Sequence, residues 1–260
     1  MDRGLVMLGF GAITVLFLAY GRYQDPGLLT PDAIGTIQRI AYGFYITLAA
    51  SLGAIALGLY KYHKAKAGAG DGLLGVMAAA TLNPRSRRIF VTTFVIYGVF
   101  FSLASGTLVY QPEVNFATHY GAEIPSGFVS PCCDATGYMP KIIVYLSEHV
   151  GLQIIPINLV LQITVSYLVG LNVSVALRVR GSSGKGMGGI GAATGLFIAC
   201  PTCAGTFLSV FVGVASGIAA SIVLAQLQTL FIAVSIPVLL LTPFVMARRL
   251  RNCGDGCTIK

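Results

Sequence analysis

Tryptophan is absent from this chain, and charge is scarce: only 10% of its 260 residues are Asp, Glu, Lys or Arg. Soluble domains carry about a quarter. With 55% hydrophobic residues and a mean hydropathy of +0.81, too little charge remains to cover a water-facing surface. That scarcity excludes a soluble enzyme, a disordered tail protein and a small disulfide scaffold. Nucleotide and protease signatures are missing too: no P-loop, no strand-linked G-x-G-x-x-G, no H-E-x-x-H and no nucleophile elbow. The strict alternation of a membrane β-barrel is also lacking.

What is present is a series of long apolar runs. A bilayer core needs about 20 apolar residues in helix. Six spans are predicted: 4–20, 40–60, 90–110, 152–177, 188–213 and 218–247. The fold class expected is therefore all-α, a polytopic membrane bundle forming one membrane domain. The first run, read instead as a secretory signal, ends on the poor cleavage site Ala19-Tyr20-Gly21 and would leave five spans.

Charge sets the orientation. With both termini cytoplasmic, fourteen of the seventeen basic residues lie inside, and only Arg22, Arg39 and Lys141 lie outside. The net charge of +8 divides into +11 inside and −3 outside. This is the positive-inside pattern of a multi-pass cell-membrane protein, and the inner loops meet anionic lipid. Nucleic acid need not be invoked. Tyrosine replaces tryptophan at the span ends: Tyr20, Tyr23, Tyr42, Tyr60, Tyr62 and Tyr110.

Two loops are long. The inner one contains the apolar run Leu73 to Leu82, too short to span, which predicts a surface helix. The outer one covers 111–151, a length that is often functional. Its end, Met139 to Val150, is expected to form a surface helix leading into the fourth span.

The six cysteines form three close pairs. Cys132 and Cys133 are adjacent in the outer loop. Cys200 and Cys203 form Cys-Pro-Thr-Cys in the fifth span, and Cys253 and Cys257 lie in the tail, 248–260. A C-x-x-C pair places two sulfurs on one helix face, and such motifs lower thiol pKa. Pro201 breaks the helix there. The alternative for this pair is packing, since Gly191, Gly195, Ala199 and Cys203 make a small-residue face. Metal binding is a third reading. His119, Met139 and His149 share the outer loop with Cys132 and Cys133 and are plausible soft-metal (copper) ligands, although no fixed spacing joins them. His149 with Glu148 also reads as a polar cap.

No Asp, Glu, Lys, Arg or His falls inside a predicted span, which argues against ion-coupled transport. Asn158, Gln162 and Ser166 step by four through the fourth span. Interhelical hydrogen bonds account for them, or a contact to a quinone or to the cysteine pair.

Ser130-Pro131-Cys132, with Pro140 and Tyr145 downstream, resembles the first motif of transmembrane thiol–disulfide electron carriers of cytochrome c biogenesis (CcdA/DsbD type). Ala199-Cys200-Pro201-Thr202-Cys203-Ala204-Gly205 resembles the second. The resemblance covers about 75 residues. It implies electron transfer through paired cysteines, with thioredoxin-like proteins as partners. That family builds an inverted repeat with one reactive cysteine per half, whereas spans one to three here contain none. The outer dithiol plus C-x-x-C arrangement is also similar to quinone-linked DsbB/VKOR oxidoreductases, which have four core spans. The expected activity is thus thiol–disulfide oxidoreduction. The alternatives are an accessory subunit in a membrane complex and copper handling.

Overall fold

The computed structural model describes residues 2–24, 30, 33–67, 73–132, 137–182, 237 and 239–244. Cys133, Cys200, Pro201, Cys203, Cys253 and Cys257 lie outside these residues, as do the predicted fifth span and most of the sixth. The described residues are mostly helical. Four helical segments are long and apolar enough to cross a membrane: Arg3–Gln24, Ile34–Ala67, Pro84–Leu103 and Pro156–Ala176.

In chain order the helices begin with α1 (Asp2–Gly21), continued by a 3₁₀ turn (Arg22–Gln24), and α2 (Ile34–Ala67). The short α3 (Leu73–Leu82) coincides with the apolar run read as a surface helix. The next, α4, covers Pro84–Ala104. It starts as its sequence dictates: Asn83 Oδ1 accepts from Arg85 N at 3.2 Å, and Pro84 takes the first helical position, where a missing N–H costs nothing. The five-residue α5 (Phe116–Tyr120) is capped by Asn115, which accepts from Ala117 N and Thr118 N. Gly121 closes it at φ 63°, a left-handed angle that suits glycine. The last long helix, α6 (Pro156–Ser182), starts at its proline, where a missing N–H costs nothing.

The outer loop departs from the all-α expectation. It holds an antiparallel sheet of β1 (Leu108–Tyr110), β2 (Ser126–Ser130), β3 (Lys141–Tyr145) and β4 (Val150–Ile154), in the order β1-β4-β3-β2. The helix expected over Met139–Val150 is instead β3 and its hairpin turn into β4. Lys141-Ile-Ile-Val-Tyr145 is rich in β-branched residues and aromatic, and packs as a pleated strand. The register pairs Phe128 with Ile143 and Val144 with Leu152. The third span correspondingly stops at Ala104, six residues short of the predicted end, because Gly106 turns the chain at φ 69°. The fourth starts at Pro156, not Leu152, since Leu152 is in β4.

The described residues form two compact units. The first comprises α1, α2 to Tyr62, the sheet with α5, and α6 to Leu161. Glycine at position 9 lets α1 approach α2, because a Cβ there would sit 2.9 Å from the Ser51 carbonyl oxygen. Along α2 the buried positions are Ile37, Ala41, Phe44, Leu48, Ser51 and Gly58. These steps of three, four and seven make a single stripe facing a partner helix. Ile13 and Tyr20 of α1, Ala41, Phe44 and Leu48 of α2, and Val129 and Met139 of the outer loop form one apolar core.

The second unit holds His63–Ala104 and the described residues from Gln162 onward. There Met77 of α3 packs with Leu171 and Val175 of α6. Gly170 receives the ring of Phe90, which a Cβ would meet at 3.1 Å. Asn172 Nδ2 donates to Leu239 O at 3.1 Å, tying α6 to the helical residues 239–244.

Candidate functional site

The segment from Val129 to Pro140 is the chemically distinctive part of the first unit. It carries Cys132, and its described residues Val129 and Met139 pack in the core with residues of α1 and α2. Met139 is 6% exposed within the core of α1 and α2 residues. Two tyrosines fasten the segment. Tyr20 OH, from α1, donates to Pro131 O at 2.6 Å. Tyr45 OH, from α2, lies 2.7 Å from Pro140 O and 2.9 Å from Ile154 O. A buried carbonyl in irregular backbone needs a donor from elsewhere in the protein. A tyrosine delivers that donor at the end of a rigid apolar ring. The rings of Phe17, Tyr20, Phe44 and Tyr45 meet edge to face, which fixes both hydroxyls.

Cys132 is 8% exposed and disulfide-bonded. Its bonding partner lies outside the described residues. The sulfur is 3.8 Å from Gln24 O. A disulfide sulfur has no proton to donate, so this is a packing contact.

The other predicted site residues do not converge. Met139 turns its thioether into the apolar core. His119 sits on the exposed face of α5, edge-on to Tyr120 at 4.7 Å between ring centroids. His149 Nδ1 is 3.0 Å from Val114 O, while Glu148 Oε2 accepts from Asn115 Nδ2 at 2.9 Å. These contacts close the β3–β4 turn over α5, which is the polar-cap reading of the pair. Among the described residues no group of three or more His, Cys, Asp or Glu is placed to hold a metal. The copper triplet thus has one member buried, one exposed and one engaged with backbone.

Asn158 is half-buried on α6. Gln162 Nε2, in the second unit, lies 2.9 Å from Gly98 O and 2.5 Å from Ser102 Oγ of α4. Interhelical bonding, one of the two readings of this stripe, is what its amide nitrogen does.

Sequence reasoning missed two features. Tyr20 was read as an interfacial residue and Tyr45 was not singled out, yet they are the fasteners. A tyrosine in mid-span is the available signal, because its hydroxyl must find a partner. The second is a polar cluster around His63 at the end of α2. Its Nδ1 is 3.0 Å from Thr81 Oγ1 of α3, and its Nε2 is 3.5 Å from Tyr167 OH of α6.

No family model, curated protein or solved structure matches this chain.

Proposed function

We propose that this protein is an integral membrane thiol–disulfide oxidoreductase with six spans, both termini cytoplasmic, in the cell membrane. The observation that carries the reading is the buried, disulfide-bonded Cys132 on a segment fastened among apolar helices. A surface dithiol would be cut off from a C-x-x-C in mid-span, since exchange needs direct contact of sulfurs. Val129 and Met139 of that segment share the apolar core with Leu48, which lies about 21 Å along α2 from its first residue, Ile34. Cys253 and Cys257 serve as the cytoplasmic electron source in this scheme.

The exchange that loads the Cys253–Cys257 pair, in its disulfide form, is balanced with a cytoplasmic thioredoxin-like dithiol partner. Its thiolate attacks one sulfur of the disulfide, the old S–S bond breaks, and the departing thiolate takes a proton. The partner's second thiol then attacks the mixed disulfide. Two electrons and two protons pass to this protein, and the partner leaves as a disulfide.

The orientation draws support from α4. Arg85 and Arg87 lie in its first turn and Arg88 follows directly, near the end where the helix dipole opposes positive charge. Anionic lipid on the inner leaflet offsets that repulsion. The exposed apolar faces of α1 and α2, including Met7, Leu8, Val15, Ile46 and Leu57, suit contact with lipid.

Thiol alkylation in native membranes, with and without reductant, followed by peptide mass mapping, tests the reading. Cys132, Cys200 and Cys203 are expected to change state together with a dithiol partner. Thiols that stay fixed across oxidant and reductant would sink it, and copurification with constant partners would then favour an accessory subunit.

A further inference from the structure

Buried polar groups inside apolar helices have no solvent to meet them, so each needs a partner in the protein or a bound molecule. Among the described residues, four buried side-chain atoms lack one: Tyr97 OH, Gln162 Oε1, Ser166 Oγ and Asn172 Oδ1. All four belong to α4 and α6 of the second unit. Among the described residues the first unit has none.

Gln162 and Ser166 stand one turn apart on the same face of α6. The orientation of the Gln162 amide follows from chemistry. The atom facing the Gly98 carbonyl must be the NH₂, because an oxygen there would oppose another acceptor. Oε1 is therefore the unmet atom, and it can only accept. Ser166 is 1% exposed. Several serines and threonines in these helices turn back on their own backbone: Thr14 to Phe10 O, Thr47 to Gly43 O, Ser51 to Thr47 O and Ser102 to Gly98 O. Ser166 forgoes that local bond. Its hydroxyl lies instead toward α4, 3.6 Å from where a Cβ on Gly98 would be. Glycine at 98 leaves that side of the seam without a side chain.

We propose that the α4–α6 seam binds water within the span, bridging Gln162 Oε1 and Ser166 Oγ. The donor set selects the ligand. Oε1 requires a donor, which excludes an anion or a carbonyl compound that only accepts. No carboxylate of α4 or α6 offsets the dehydration of a cation. Water gives to Oε1 and either gives to or accepts from the serine hydroxyl, and buried waters usually make two to four such bonds. The site rests on the helices crossing a bilayer and is independent of the thiol chemistry.

X-ray hydroxyl-radical footprinting of the full chain in lipid vesicles tests it, because radiolysed bound water oxidises the nearest rings in place. Oxidation is expected on the α4 segment from Tyr97 to Phe101. The double variant Gln162→Leu with Ser166→Ala should lose that label and keep the label on exposed Tyr120. An unlabelled segment in the parent protein, or a label that survives in the double variant, overturns the proposal. Oxidation of Phe10, 52% exposed on the outer face of α1, would show that the spans are not in lipid and overturns it as well. Ser166→Ala alone provides a second measurement that does not depend on the double variant folding. Loss of the bridged water lowers its thermal midpoint. An equal or higher midpoint means a dry seam holding a surplus hydroxyl, and overturns the proposal.

Discussion

The two units treat buried polarity in opposite ways. In the first, irregular backbone is packed among apolar helices, and side-chain hydroxyls of Tyr20 and Tyr45 supply its donors. Among the described residues of the second, the backbone is mostly regular helix, and side chains of α4 and α6 are left with unmet atoms. The contrast follows from where each polar group originates. A loop between helices brings carbonyls that must be paired for the segment to stay, so donors are fixed in place around it. A helix pairs its own backbone, so polar side chains on it are free to receive something else.

The comparison can be broken at the points that hold each unit together. The largest effect is expected at Met139→Ala, which empties a core shared by α1, α2 and the outer loop. It should cost about 2–5 kcal/mol in thermal or denaturant unfolding in detergent. A cost near zero would mean that the loop does not pack there, and would reopen a ligand role for the thioether.

Tyr45→Phe comes next. It withdraws one hydroxyl from two carbonyls, Pro140 O and Ile154 O, and should cost about 1–3 kcal/mol. Tyr20→Phe, with the single acceptor Pro131 O, should cost less. Both variants should also speed reduction of the Cys132 disulfide by a small dithiol, read by alkylation and mass shift. Unchanged reduction rates would separate the fastening from access to sulfur.

A third contrast sets the helix crossings side by side. Gly9→Ala drives a methyl to 2.5 Å from Ile55 Cγ1 and 2.9 Å from Ser51 O, where backbone must move. Gly170→Ala meets Phe90 Cδ2 and Phe90 O at 3.1 Å, a milder conflict. Overpacking of this kind costs about 1–3 kcal/mol, and position 9 is expected at the upper end. The reverse order of unfolding midpoints would contradict the tighter α1–α2 approach.

The smallest effect is expected at His119→Ala. The ring is exposed on α5, so stability should change by no more than about 0.5 kcal/mol. A copper-dependent rise in thermal midpoint that this variant abolishes would revive the metal reading.

Features with a local cause were legible in the residues alone. Apolar runs of span length identified the four long helices, although α2 runs from Ile34 to Ala67 where 40–60 was expected. The short helix at Leu73–Leu82 was readable to the residue because Asn83 and Pro84 punctuate it. The i, i+4 step of Gln162 and Ser166 placed them on one inward face before any neighbour was known.

The rest was decided by partners distant in sequence. A five-residue apolar run such as Lys141-Ile-Ile-Val-Tyr145 has no periodicity that separates strand from helix. It became a strand because β2 and β4 flank it with complementary hydrogen bonds. The burial of Met139 and the roles of Tyr20 and Tyr45 likewise depend on contacts across roughly a hundred residues of chain. The sequence by itself therefore determined which segments are apolar enough to cross a membrane and which helix faces are polar. Only the tertiary structure decided that the outer loop is a sheet fastened into those helices, and which polar atoms are met or left open. The physical reason is that hydrophobic periodicity is written within a few residues, whereas hydrogen-bond satisfaction requires both partners in space.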